Sequence, residues 1–177
     1  SLVSVQDSKS CSNGATGSAT VTVNPAPGAA ITGATAVCRN AASPIITFTG
    51  SDGNPPYTFT YNINGGTAQT VSTTSLVSTA TISAPTNTAG DFTYSLTGVS
   101  DAAASVCGSA AGGIVITVRS LPTVTLTGST TVCQYTTNPE LTFAISNGTA
   151  PYTIDYTANG SNQSISSPGA STVLPIS

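Results

Sequence analysis

An all-β chain of tandem sandwich modules is what this sequence predicts. Three observations carry it: a repeat of 95 residues, apolar residues alternating with period two, and Gly, Pro or Asn turn signals about every ten residues. The spacing separates Cys38 from Cys133, Pro44 from Pro139, Phe48 from Phe143, Tyr57 from Tyr152 and Tyr61 from Tyr156. Solenoid repeats run about 20–50 residues, so a period this long indicates an array of whole small domains. The expected organisation is the closing strands of one repeat at 1–24, a complete repeat at 25–120 and the opening part of a third at 121–177.

Each strand is justified by its own alternation and tested by the second copy. In Ile45–Thr49, Ile46 and Phe48 share one face, and Ile45, Thr47 and Thr49 the other. Leu141 and Phe143 keep the apolar face in the later copy, while Glu140 replaces Ile45 on the other. Tyr57, Phe59, Tyr61 and Ile63 alternate with Thr58, Thr60 and Asn62. Their counterparts are Tyr152, Ile154, Tyr156 and Ala158, with Asp155 in the place of Thr60. Charge therefore enters only on the face assigned to solvent. Phe92, Tyr94 and Leu96 mark a further strand, and Ile114, Ile116 and Val118 another. Weaker strands are expected at Ala30–Ala34, Gln69–Ser72 and Thr79–Ser83, and Asn64-Gly65-Gly66 supplies positive-φ residues for a tight turn. About seven short strands per module predict an immunoglobulin-like Greek-key sandwich. The segment 121–177 holds about four strands and is not expected to close its own sandwich. The joints Val23-Asn24-Pro25-Ala26-Pro27 and Val118-Arg119-Ser120-Leu121-Pro122 are short and stiffened by proline, which predicts an extended, semi-rigid array.

Composition narrows the function classes. Charged residues make up 5% of the chain, against roughly a quarter in ordinary soluble proteins. With a net charge of −3 and a hydrophobic content of 38%, folding is favoured over disorder. Lys9, Arg39 and Arg119 are the only basic side chains, too few for a nucleic-acid or anionic-lipid footprint. No run of apolar residues is long enough to span a bilayer as a helix. With no His and six scattered acids, the chain shows no nucleophile–base pair, paired carboxylates or metal cluster, so neither catalysis nor a cofactor is expected.

Cysteines in so unreactive a chain point to an oxidising, extracellular setting. Cys38 and Cys107 fall in one module and are the preferred pair, with Cys11 and Cys133 bonded outside this segment. The pole-to-pole separation of the two positions in a standard sandwich stands against that bond, unless the loop Asp101–Gly112 folds back. The alternative is Cys11 with Cys38 and Cys107 with Cys133. Metal binding lacks both His and a C-x-x-C pair. Asp7 and Asp101 occupy equivalent places after strand ends. They read either as calcium ligands between modules or as turn residues accepting backbone N–H groups, and the scarcity of acids favours turns. The strand tyrosines fit core packing better than a glycan platform. Tyr135, whose counterpart is Asn40, breaks the pattern and is the candidate for a surface contact. The Thr-x-Thr rows read as a flat solvated face. Asn147, Asn159 and Asn162 begin glycosylation sequons, relevant only to a eukaryotic secretory route.

The string Val-Cys-x-Asn-x-x-x-Pro-x-x-Thr-Phe at 37–48 is followed by Pro56-Tyr57-Thr58-Phe59-Thr60-Tyr61-Asn62-Ile63-Asn64-Gly65-Gly66. With Ala89-Gly90-Asp91-Phe92-Thr93-Tyr94 and Ala19-Thr20-Val21-Thr22-Val23-Asn24-Pro25, it resembles the PKD-like repeats of giant Bacteroidetes surface proteins, most closely the gliding adhesins of flavobacteria. The third segment departs from the pattern at Gln134-Tyr135 and Ala158. The resemblance implies export by the type IX secretion system and attachment at the outer membrane, on the cell surface. It further implies a filament that grips surfaces or polysaccharide while gliding machinery moves it. The remaining expected partners are neighbouring repeats of the same chain. The competing expectation is a polysaccharide-binding or spacer module of a secreted multidomain enzyme.

Overall fold

The computed structural model describes residues 1–21, 23, 25–103, 108–128, 131, 133 and 139–175. None of these is helical, and the strands form several separate sheets. The first two strands, β1 (Ser4–Gln6) and β2 (Ser12–Gly14), pair with each other alone. Nine strands follow between residues 28 and 119: β3 (Gly28–Gly33), β4 (Ala36–Cys38), β5 (Ile45–Ser51), β6 (Thr58–Ile63), β7 (Gln69–Ser72), β8 (Thr79–Ser83), β9 (Gly90–Ser100), β10 (Ser109–Ala110) and β11 (Gly113–Arg119). The last group is β12 (Thr123–Thr127), β13 (Glu140–Ser146), β14 (Tyr152–Ala158), β15 (Ser161–Ser167) and β16 (Ser171–Pro175).

The middle group forms two sheets, ordered β10-β3-β5-β8 and β4-β11-β9-β6-β7. Both contribute to one core, an arrangement consistent with a β-sandwich. The alternation expected from sequence is present: Ile46 and Phe48 are wholly buried, whereas Ile45 and Thr49 are exposed. Opposite them lie Phe59 and Tyr61 of β6, Tyr94 and Leu96 of β9, and Ile116 and Val118 of β11.

Strand number differs from the expected seven. The two additions, β4 and β10, have three and two residues and pair in parallel along edges of β11 and β3. Segments this short cannot display a period, so the sequence gives no sign of them. Along β9 Tyr94 and Leu96 are buried and Phe92 partly so, as expected, and the alternation breaks only beyond Leu96. Opposite Thr60 lies Gly98 and opposite Tyr61 lies Leu96, which leaves Thr97 as an extra residue in a β-bulge. The bulge turns both Leu96 and Val99 into the core although three positions separate them.

The third group repeats the same geometry with one sheet reduced. β13 pairs on both edges, with β12 and β16, as β5 does with β3 and β8. Among the described residues β14 pairs only with β15, whereas its counterpart β6 lies between β7 and β9. Among the described residues this segment has five strands rather than about four. Positive φ values recur at the repeat interval, at Asp52 and Asn147 (63° and 61°), Asn64 and Asn159 (52° and 49°), and Gly65 and Gly160 (69° and 77°). The Asn-Gly turn closes a two-residue hairpin in the later copy, where Ala158 pairs with Ser161.

Truncating Phe48 to Ala should cost about 3–5 kcal/mol of stability, because it removes a ring from a site with no exposure. Thr49→Ala on the solvent face should change stability by no more than about 0.5 kcal/mol. Urea unfolding followed by tyrosine fluorescence measures both.

Candidate functional site

The chemistry-bearing side chains of this chain mostly serve the fold. Tyr57, Tyr61 and Tyr94 are all buried. The Tyr57 hydroxyl donates to the Gly53 carbonyl at 2.7 Å, and that of Tyr61 to Gln69 Oε1 at 3.1 Å. The Tyr57 ring lies flat over Gly50, where an added Cβ would come within 2.6 Å of it. In the later copy Ile145 replaces Gly50, and Tyr152 is only half-buried, its hydroxyl donating to the Asn147 carbonyl at 2.9 Å. Burial holds the Tyr94 phenol above its ordinary value of 10.0, and the neighbouring Tyr61 adds to the shift.

Asp101 is 7% exposed and turns inward at the end of β9. Its Oδ2 accepts the Asn54 N–H at 3.0 Å and its Oδ1 the Ala103 N–H at 3.1 Å. The carboxylate thus ties the loop after β5 to the loop after β9. Asp7 acts in the same manner, accepting N–H groups of Lys9 and Cys11 at 2.9 Å each. Both are turn residues in this structure. Among the described residues no three His, Cys, Asp or Glu side chains cluster as a metal site would require. Asp91, at the start of β9, accepts the Thr117 hydroxyl at 2.7 Å, and Asp155 stands on the exposed face of β14.

Of the cysteines, Cys11 and Cys38 are exposed and carry no disulfide, so the alternative bond between them is absent. Cys133 is also exposed. The preferred partner Cys107 lies outside the described residues, as does Tyr135, the candidate surface contact. One of several open concavities, unmarked by any motif, lies where the second and third segments meet. It is an open groove of about 600 Å³ lined by Arg119, Pro122, Ile145, Tyr152, Ile154 and others. Its apolar wall consists of residues whose counterparts, Gly50, Tyr57 and Phe59, are buried in the complete module. The groove also takes Cys38 and Arg119 from the preceding module, and Ile145 and Ile154 in its wall are only 8% and 7% exposed.

Comparison with protein-family models, characterised proteins and solved structures finds no match to this chain. No helix among the described residues is long and apolar enough to cross a membrane.

Asp101→Ala strands two backbone donors and should lower stability by about 1–3 kcal/mol. Added calcium should leave the Tm of the unmodified chain unchanged; a calcium-dependent rise would restore the cation reading. For Tyr94, a phenol whose folded pKa exceeds its unfolded value contributes fully below that unfolded value and loses its contribution as pH climbs through the folded one. Alkaline unfolding monitored by circular dichroism should shift to higher pH in Tyr94→Phe. An unchanged midpoint would contradict burial of an ionisable hydroxyl there.

Proposed function

We propose that this chain is a structural repeat segment of a secreted, filamentous cell-surface adhesin that mediates attachment and gliding and performs no catalysis. The observation that carries the reading is that the same core is built twice at one interval. Phe48 and Tyr61 meet with ring centroids 5.1 Å apart, and Phe143 and Tyr156, each 95 residues later, meet at 5.5 Å. A chain that keeps its core and lets its exposed positions drift to Thr, Ser and Asn is conserving shape rather than a reacting group. The immunoglobulin-like Greek-key assignment of each repeat is supported by the two strand orders around β5 and β6, with β3–β5–β8 in one sheet and β11–β9–β6–β7 in the other.

Further support is the near absence of charge, which suits a long extracellular stalk with few cleavage points for trypsin-like proteases. The resemblance to PKD-like repeats supplies the rest of the proposal: type IX secretion, outer-membrane attachment, and partners in the gliding machinery and in external surfaces or polysaccharide.

Live cells of the source organism, labelled with fluorescent antibody to residues 25–120, test this. Foci that travel along the cell body are expected. Static foci would remove gliding and leave a passive adhesin; signal confined to the medium would overturn both. Retention of a two-module fragment on a polysaccharide column, abolished by loop substitutions, would favour the binding-module reading instead.

A further inference from the structure

One cross-strand pair differs between the two modules at the edge of a sheet. In the complete module Ile45 of β5 faces Ser83 of β8, and in the later segment Glu140 of β13 faces Pro175 of β16. β8 and β16 are each the last strand of their sheet. A charge and a proline are two devices that keep an edge strand from pairing with another chain. The later segment has both at this pair, and the complete module has neither. Nor does any other residue of β5 or β8 carry a charge. The remaining edges of the complete module, β4, β10 and β7, have three, two and four residues, so β8, with five, is the longest it presents.

The main chain of β8 is directed to suit such pairing. Gly50 N donates to the Ser78 carbonyl at 2.8 Å and Ala84 N to the Pro44 carbonyl at 3.0 Å, one bond at each end of the β5–β8 ladder. Antiparallel ladders alternate between residues that bond to the neighbouring strand and residues that turn their groups away. Ala80 and Ile82 therefore bond to β5, and Thr79, Thr81 and Ser83 turn N–H and C=O to the open edge. All three are exposed. In the later segment Ile145 N donates to the Ala170 carbonyl at 2.7 Å, which sets the same phase. Pro175 thus takes an outward position, where it has no N–H to offer.

We propose that β8 is a docking edge for a second copy of this chain, which adds its own β8 antiparallel about a twofold axis through Thr81. Thr81 of each copy exchanges main-chain hydrogen bonds with Thr81 of the other, and Thr79 does so with Ser83 on either side. The register is self-complementary on both faces. Thr79, Thr81 and Ser83 pair as a row of hydroxyls on the solvent face, and Ala80 meets Ile82 on the other. A twofold contact sets each charge beside its own duplicate, so an uncharged edge is what this symmetry requires. Ile45, 52% exposed, stands beside the seam where the later segment has Glu140. The two four-stranded sheets become one, and the contact closes at a dimer. It lies wholly within the complete module, joins chains side by side, and is independent of adhesion and gliding.

Sedimentation equilibrium on the 177-residue chain tests it, under reducing conditions so that the exposed Cys11 and Cys38 cannot link chains. Over a concentration series reaching about 1 mM, where small transient interfaces register, the mass should climb from 17.3 kDa towards twice that value and stop. Ser83→Pro and Ile45→Glu introduce the residue types found at this pair in the later segment. Each should stay monomeric while keeping the circular dichroism of the unmodified chain. The register has its own readout. Thr81→Cys, oxidised and mapped by mass spectrometry, should yield chains joined through position 81, because directly opposed residues lie within disulfide reach. Thr79→Cys should yield none joined through position 79, since Thr79 faces Ser83. A monomer at every concentration, growth past the dimer, association of Ser83→Pro equal to that of the unmodified chain, or links through position 79 would overturn the proposal.

Discussion

One aromatic contact across the two sheets holds the complete module together. Phe48 of β5 reaches the opposite sheet and packs against both Phe59 and Tyr61, with ring centroids 5.7 and 5.1 Å away. Tyr57 continues the layer along Phe59 at 6.1 Å, and Tyr94 continues it beyond Tyr61 at 6.4 Å. Offset rings at such distances bury large apolar areas and add orientation preference to them. The chain has no Trp or Met and only three basic side chains, so little else in its composition could substitute for this layer. The rings form one continuous layer of neighbours from Tyr57 through Phe59, Phe48 and Tyr61 to Tyr94.

That constraint also explains why so much of the exterior is free to be uncharged. Thr, Ser and Asn supply most of the polar surface within the strands, with charged residues only 5% of the chain. Buried polar atoms are few and partnered among the described residues. Thr73 illustrates how: its Oγ1 accepts the Tyr57 N–H at 2.8 Å from inside the sandwich. The third segment shows the cost of losing one layer. Phe143 and Ile154 remain buried, but Tyr152 and Tyr156 are only half-covered, because nothing described stands where β9 stands in the complete module.

The strands were legible because alternation is a direct image of a half-buried sheet. Ile46 and Phe48 against Ile45 and Thr49 could be read from one copy and checked in another, where Glu140 and Asp155 stay exposed. What escaped the sequence were features set by partners rather than by period. β4 and β10 exist because β11 and β3 offer edges to pair with. The bulge exists because Leu96 and Val99 must both face inward. Asp101 looked like any turn acid until its position against Asn54 emerged, a contact between residues 47 apart in sequence. The groove beside Arg119 brings Cys38 of one segment next to Ile145 and Ile154 of another, a long-range juxtaposition that no local pattern encodes.

The central claim is that residues 25–120 hold a complete aromatic core while the core of 121–175 stands open along β14. Amide hydrogen exchange on the dilute, monomeric chain measures this strand by strand. Amides of β5, β6, β9 and β11 should exchange slowest and together. Those of β14 and β15 should exchange much faster, with β13 in between. Equal protection of β6 and β14 in the monomer would contradict the account, since it would mean that the third sandwich is closed without a second strand layer.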